Sequence, residues 1–144
     1  MSKQDILMFR GDYSFLSNFS PYGFSNTYGT YWPTVEHFYQ AHKSRKRAIR
    51  KLINQASSPS EAKRLGNSVE LRYDWKEVKV KVMRTALGRK FTQNPYLKSR
   101  LLLTGDAHLE EGNYWGDTYW GVCKGVGENM LGKLLMELRD KLKE

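Results

Sequence analysis

The sequence predicts a mainly α, small α+β domain: a compact helical core with a short β portion near the N-terminus, in one domain over residues 1–144. Two patterns carry this expectation. Downstream of residue 34 most apolar residues recur at helical spacing between recognisable start and stop signals. Residues 6 to 33 are instead rich in aromatics, Gly, Ser and Asn, a composition suited to short strands and turns.

The elements follow in order. Ile6 to Phe9 suits a strand, and Tyr22 to Trp32, broken by Ser25-Asn26 and Gly29, suits a short hairpin. Thr34 has the character of an N-cap, and the helix that it opens is expected to extend to Asn54, with Phe38, Ala41, Ala48, Ile49 and Leu52 at helical spacing. Ser58-Pro59-Ser60-Glu61 reads as a capping box with proline at the first helical position, and Gly66 ends that helix. Asp74, with Glu77 three residues on, opens a helix whose apolar stripe is Trp75, Val78, Val82, Met83 and Ala86. Asn94-Pro95 opens another, ending near Thr104-Gly105. Residues 106 to 127 read as strand and loop. A last helix runs from about Glu128 to Lys143, with Leu131, Leu134, Leu135, Leu138 and Leu142 as its buried stripe.

Composition narrows the class. No stretch approaches the roughly 20 apolar residues of a membrane span, and MSKQDILMF lacks the apolar segment of a signal peptide. A single cysteine, Cys123, excludes an internal disulfide framework, so a cytoplasmic chain is expected. Lys and Arg number 24 against 15 Asp and Glu, and the net charge of +9 favours anionic partners: a nucleic-acid backbone or the phosphate of a small substrate. The sequence does not determine the oligomeric state.

Several side chains are candidates for chemistry. His37 and His42 are five residues apart, which does not suit a helical metal pair, and no metal or other cofactor is expected. Glu36 lies in the first turn of its helix, where an ionised carboxylate is favoured, on a polar face with Gln40, Lys43 and Arg47. That face either meets solvent or lines a cleft. Lys79 falls in the middle of the stripe made by Trp75, Val78, Val82, Met83 and Ala86, at about 100° per residue. A lysine there either reaches water along its stem or is an amine held out of water, whose burial disfavours the charged form. Tyr114-Trp115-Gly116-Asp117-Thr118-Tyr119-Trp120-Gly121 places four aromatics around one carboxylate in a glycine-rich loop. Such a loop can stack on a flat ligand, or Asp117 can simply form a turn.

The order and spacing of several motifs resemble the NADAR family, which includes YbiA-like N-glycosidases. They are Phe15-Leu16-Ser17-Asn18-Phe19-Ser20, Trp32-Pro33-Thr34-Val35-Glu36-His37, Gln40-Ala41-His42-Lys43, Asp74-Trp75 with Lys79, Val82-Met83, Lys90-Phe91, Tyr119-Trp120-Gly121 and Leu131-Gly132 with Leu134-Leu135-Met136-Glu137-Leu138-Arg139. The chain departs from the family pattern after Trp120-Gly121, where Val122-Cys123 stands in place of an acidic residue and glycine. The resemblance implies hydrolysis of an N-riboside. Its leading form is cleavage of ribosylamino-pyrimidine phosphates, early intermediates of riboflavin synthesis. Its alternative is removal of ADP-ribose from guanine in nucleic acid, with a non-enzymatic nucleotide- or nucleic-acid-binding module as a third reading. The residues it brings forward are Glu36, Lys79 and Asp117 as catalytic groups. Asn18, Trp75 and Trp120 join them as substrate-binding groups. Lys43 and Arg47, four residues apart, are suited to the phosphate end. Carboxylates fit this chemistry because the sugar gains positive charge in the transition state.

Overall fold

The computed structural model describes residues 4–143. It is mainly helical with a few two-stranded β pairings, the mixture that the sequence predicts. The chain divides into two compact units, residues 18–93 and residues 4–17 with 94–143. Among the described residues, no helix is long and apolar enough to cross a membrane.

The first unit opens with a hairpin, β1 (Phe24–Ser25) antiparallel to β2 (Tyr31–Trp32), with Phe24 opposite Trp32. Asn26 closes the turn: its Oδ1 accepts from the amides of Tyr28 and Thr30 at 2.9 Å each. Helix α1 (Val35–Ala41) follows, then α2 (Arg47–Asn54), α3 (Pro59–Gly66) and α4 (Trp75–Gln93). α1 packs against α2, α3 and α4, which makes it the centre of this unit, and all seven of its residues are buried. Thr34 caps it, with Oγ1 accepting from the His37 amide at 3.1 Å. Ser58 caps α3 in the same way through the Glu61 amide at 3.1 Å. The Glu61 carboxylate turns to Arg64.

The long helix expected from Thr34 to Asn54 is two helices. Residues 42–46 leave the helical path because their polar groups bind elsewhere: the Lys43 carbonyl accepts from the Arg72 amide at 2.8 Å and the Ser44 carbonyl from Arg50 Nε at 2.7 Å. Ser44 Oγ accepts from the Lys46 amide at 3.1 Å. The break re-phases α2, so Leu52 is 54% exposed and Ile53 is the buried residue in its place.

The second unit holds a short 3-10 helix (Gly11–Leu16), α5 (Pro95–Leu103), β3 (Gly112–Asn113) parallel to β4 (Val122–Cys123), and α6 (Met130–Leu142). Of the strand expected over Ile6 to Phe9, only Ile6 pairs, in a bridge to Leu109. Phe15, Leu16, Leu97, Leu101, Leu109, Leu131 and Leu135 are fully or almost fully buried here, and Leu134 nearly so. Asn129, at φ 54°, ends the loop before α6. Its side chain accepts from the Glu111 amide at 3.0 Å and donates to the Leu109 carbonyl at 2.9 Å.

Candidate active site

One face of α1 collects the chemistry of the first unit. Glu36 is buried, although it is ionisable. Such burial is costly unless the carboxylate finds donors. Gln40, one turn on, donates from Nε2 to Glu36 Oε2 at 2.6 Å. The Glu36 amide is held in turn by the Asn18 carbonyl at 3.1 Å, and Asn18 Nδ2 lies 3.5 Å from Met83 Sδ. Asn18 thereby ties the start of α1 to α4.

Just past the end of α1, where the chain leaves the helical path, Lys43 Nζ stands 5.7 Å from the centre of the Tyr39 ring. Burial lowers the pKa of Lys43, while the Glu36 charge works to raise it and Lys63 to lower it. Tyr39 and Trp75 are almost fully buried, and their ring centres are 5.2 Å apart at 56°. Trp75 therefore forms a fixed wall, not an open platform. Lys79, one turn beyond Trp75 on α4, is half-buried. Glu36, Lys43, Trp75 and Asn18 are linked by these contacts to the α1 face. Arg47 is exposed at the start of α2, so it does not share a helix with Lys43 as the expected spacing required.

The α1 face stands on a fully bonded anchor. His37 is 2% exposed, its Nδ1 is 2.8 Å from Thr34 Oγ1 and its Nε2 is 3.1 Å from the Ala56 carbonyl. A carbonyl only accepts, so Nε2 carries the proton and Nδ1 accepts from the Thr34 hydroxyl. Burial lowers the pKa of His37, consistent with a neutral ring. His42 is likewise structural: Nδ1 donates to the Phe38 carbonyl at 2.6 Å, and burial, with Arg50 and Arg72 nearby, lowers its pKa to about 4.

Asp117 and Trp120 belong to the other unit. Asp117 Oδ1 accepts from the Tyr119 and Trp120 amides at 3.1 and 2.9 Å, so one of its oxygens forms a turn. The Asn113 carboxamide braces the loop through the Asp117 amide and through the carbonyls of Asp117 and Val122. Trp120 is half-buried with its ring edge-on to Tyr119, whereas Tyr114 and Trp115 are exposed.

The sequence does not reveal the burial of Gln40 or of Lys90. Gln40 was visible on the polar face, but a four-residue spacing from Glu36 does not by itself distinguish a surface pair from a buried one. Lys90 continues the α4 stripe through Met83 and Ala86 and is 1% exposed, whereas Lys79 is only half-buried. Lys90 Nζ donates to Ser20 Oγ at 2.9 Å. An open groove of about 580 Å³, lined by Arg45, Ile53, Leu65, Arg72 and Tyr73 among others, contains none of the candidate site residues.

The NADAR domain model matches residues 8–143. The chain belongs to the NADAR family. An N-glycosidase of Nostoc punctiforme is 43% identical over 137 residues, covering 91% of this chain and 86% of that protein. The N-glycosidase YbiA of Escherichia coli K12 is 44% identical over 134 residues, covering 91% and 82%. The NMR structure of E. coli YbiA matches 99% of this chain and 87% of its own, at 41% identity and a TM-score of 0.90. A riboflavin biosynthesis protein of Vibrio vulnificus is 37% identical over 147 residues, which cover 99% of this chain and 40% of that protein.

Proposed function

We propose that this NADAR chain is an N-glycosidase, a hydrolase that cleaves the bond between a base or amino-pyrimidine and a phosphorylated ribose of the riboflavin-intermediate type. Relatives named as N-glycosidases and as riboflavin biosynthesis proteins support the reading. The observation that carries it is the buried Glu36 carboxylate, held by Gln40 beside the Tyr39–Trp75 wall. As the glycosidic bond breaks, positive charge grows on the sugar, and a carboxylate held out of water stabilises that charge or takes a proton from the attacking water. Lys43 supplies positive charge for the phosphate, with Arg47 as a second, exposed contributor. Trp75 forms the wall beside Glu36, and Asn18 holds the start of α1. Lys79 is the second catalytic candidate of this unit; in the other unit Asp117 is the candidate carboxylate and Trp120 the candidate base contact of the aromatic loop. Soluble substrates of this kind suit a cytoplasmic enzyme.

The test is incubation of the purified chain with a panel of N-ribosides, including ribosylamino-pyrimidine phosphates and ADP-ribosylated guanosine, with mass spectrometry of the products. Release of a ribose phosphate from the amino-pyrimidine, lost in a folded Glu36→Gln variant, is expected. Release of ADP-ribose alone moves the substrate to the other class. Near-normal turnover in the variant makes Glu36 a bystander.

A further inference from the structure

Glu36 does not hold its own position. Its buried carboxylate takes a 2.6 Å bond from Gln40 Nε2, a short, charge-assisted contact. The other end of that carboxamide is unusual. Gln40 is 3% exposed, and its Oε1 is enclosed with no hydrogen-bond partner among the described residues. With Glu36 ionised, turning the amide over would set that oxygen against the carboxylate, so an ionised Glu36 fixes which way it faces. The free oxygen points into the space beside Gly66 on α3. A Cβ at residue 66 would overlap Gln40 Oε1 and stand 2.8 Å from Cδ and 2.9 Å from Cβ of the same side chain.

The backbone at Gly66 does not require glycine. The residue is in the last turn of α3, outside the glycines with positive φ, where alanine is the better helix former. The missing side chain therefore serves the neighbour and not the helix. Ala62, one turn earlier, is also small and fully buried, so α3 presents a narrow edge where it packs on α1.

We infer that Gln40 is a positioning residue that aims the Glu36 carboxylate, and that Gly66 supplies the room in which Gln40 keeps that aim. The inference rests on the proposed role of Glu36 and adds two residues to it. Gln40 touches the carboxylate and no reacting atom, so its effect passes through Glu36. Losing the donor leaves the charged carboxylate less favoured, and the acid side of the activity profile moves to higher pH. Losing the aim lowers turnover more than substrate binding.

Single and double variants test this on a phosphorylated ribosylaminopyrimidine, with kcat, KM and the pH profile measured for each. Gln40→Met keeps the length and removes the donor. It is expected to lower kcat about tenfold or more with KM within about twofold, and to move the acid limb up by about one pH unit. Gly66→Ala keeps the Gln40 side chain but fills the space that it occupies, so the carboxamide must move. It is expected to reproduce the kinetic defect, with a lowered melting temperature because the added Cβ overpacks the contact between α3 and α1. Because both act through one hydrogen bond, the double variant is expected to be no slower than the worse single one. The inference is overturned if Gln40→Met keeps the native kcat and acid limb, if Gly66→Ala is kinetically native, or if the two losses multiply. Glu36→Gln separates the levels. If it is inactive while the other two are native, positioning alone fails. If it is active, the role of Glu36 fails and the positioning inference falls with it.

Discussion

Replacing Lys90 with methionine should change not only the stability of the fold but also its pH dependence. Lys90 is 1% exposed, donates to Ser20 Oγ at 2.9 Å, and has its ammonium 5.2 Å from the Phe91 ring centre. Burial lowers its pKa from 10.5 to about 7. Below pH 7 the amine is charged in both the folded and unfolded chain, and the fold bears the full cost of enclosing that charge. Between pH 7 and 10.5 the unfolded chain still takes up the proton while the folded chain releases it, so stability rises with pH. The slope approaches 1.4 kcal/mol per pH unit, and the whole interval amounts to on the order of 5 kcal/mol. Methionine fills a similar length and titrates in neither state. The stability of the native chain relative to Lys90→Met should therefore increase by roughly 3 kcal/mol between pH 6 and pH 9, because the difference cancels every other titrating group. Urea unfolding followed by tryptophan fluorescence at pH 6, 7.5 and 9 measures this difference. A gap between the two proteins that stays constant within about 0.5 kcal/mol over that range would refute the reasoning, because Lys90 would then keep an ordinary proton affinity.

Other perturbations probe separate parts of the chain. Leu134 is 4% exposed on α6, so Leu134→Ala should destabilise by on the order of 2–5 kcal/mol in urea; an unmoved midpoint would mean that this helix buries a different face. Asp117→Asn keeps the oxygen that accepts from the Tyr119 and Trp120 amides but removes the charge. Its stability should stay within about 0.5 kcal/mol and its kcat should fall by about tenfold or more; native kcat would leave Asp117 as a turn residue only. For Lys79, borohydride added during turnover should leave a sugar-sized mass on its peptide if its amine displaces the base and forms an imine with the opened sugar. Absence of an adduct, or full activity in Lys79→Arg, would remove the covalent role.

Local chemistry made much of the fold legible. Thr34, Ser58-Pro59 and Asn94-Pro95 mark helix starts that need only a side-chain oxygen or a proline, and helices begin there. The hairpin between Tyr22 and Trp32 was readable from its turn residues, and Leu131, Leu134 and Leu135 from their spacing. Of the candidate site, Glu36, Lys43 and Gln40 could be placed on one helix face. Whether that face met solvent was undecided, because a polar face looks the same whether water or another helix lies opposite.

Contacts distant in sequence decided the rest. The helix from Thr34 breaks after Ala41 because Arg72 and Arg50 claim the carbonyls of Lys43 and Ser44. Helical periodicity placed a lysine on the apolar stripe of α4 but did not tell how deeply each turn is covered. That depends on Ser20 meeting Lys90 across 70 residues of sequence. Gly66 likewise reads locally as the end of a helix. Only the packing of α3 on α1 brings Gln40 into the space that its missing side chain leaves. The sequence alone determined where backbone hydrogen bonds begin and which faces are apolar, since these depend on neighbours a turn away. Tertiary structure decided which polar groups lose water and what they bind, since desolvation depends on the atoms that close over them.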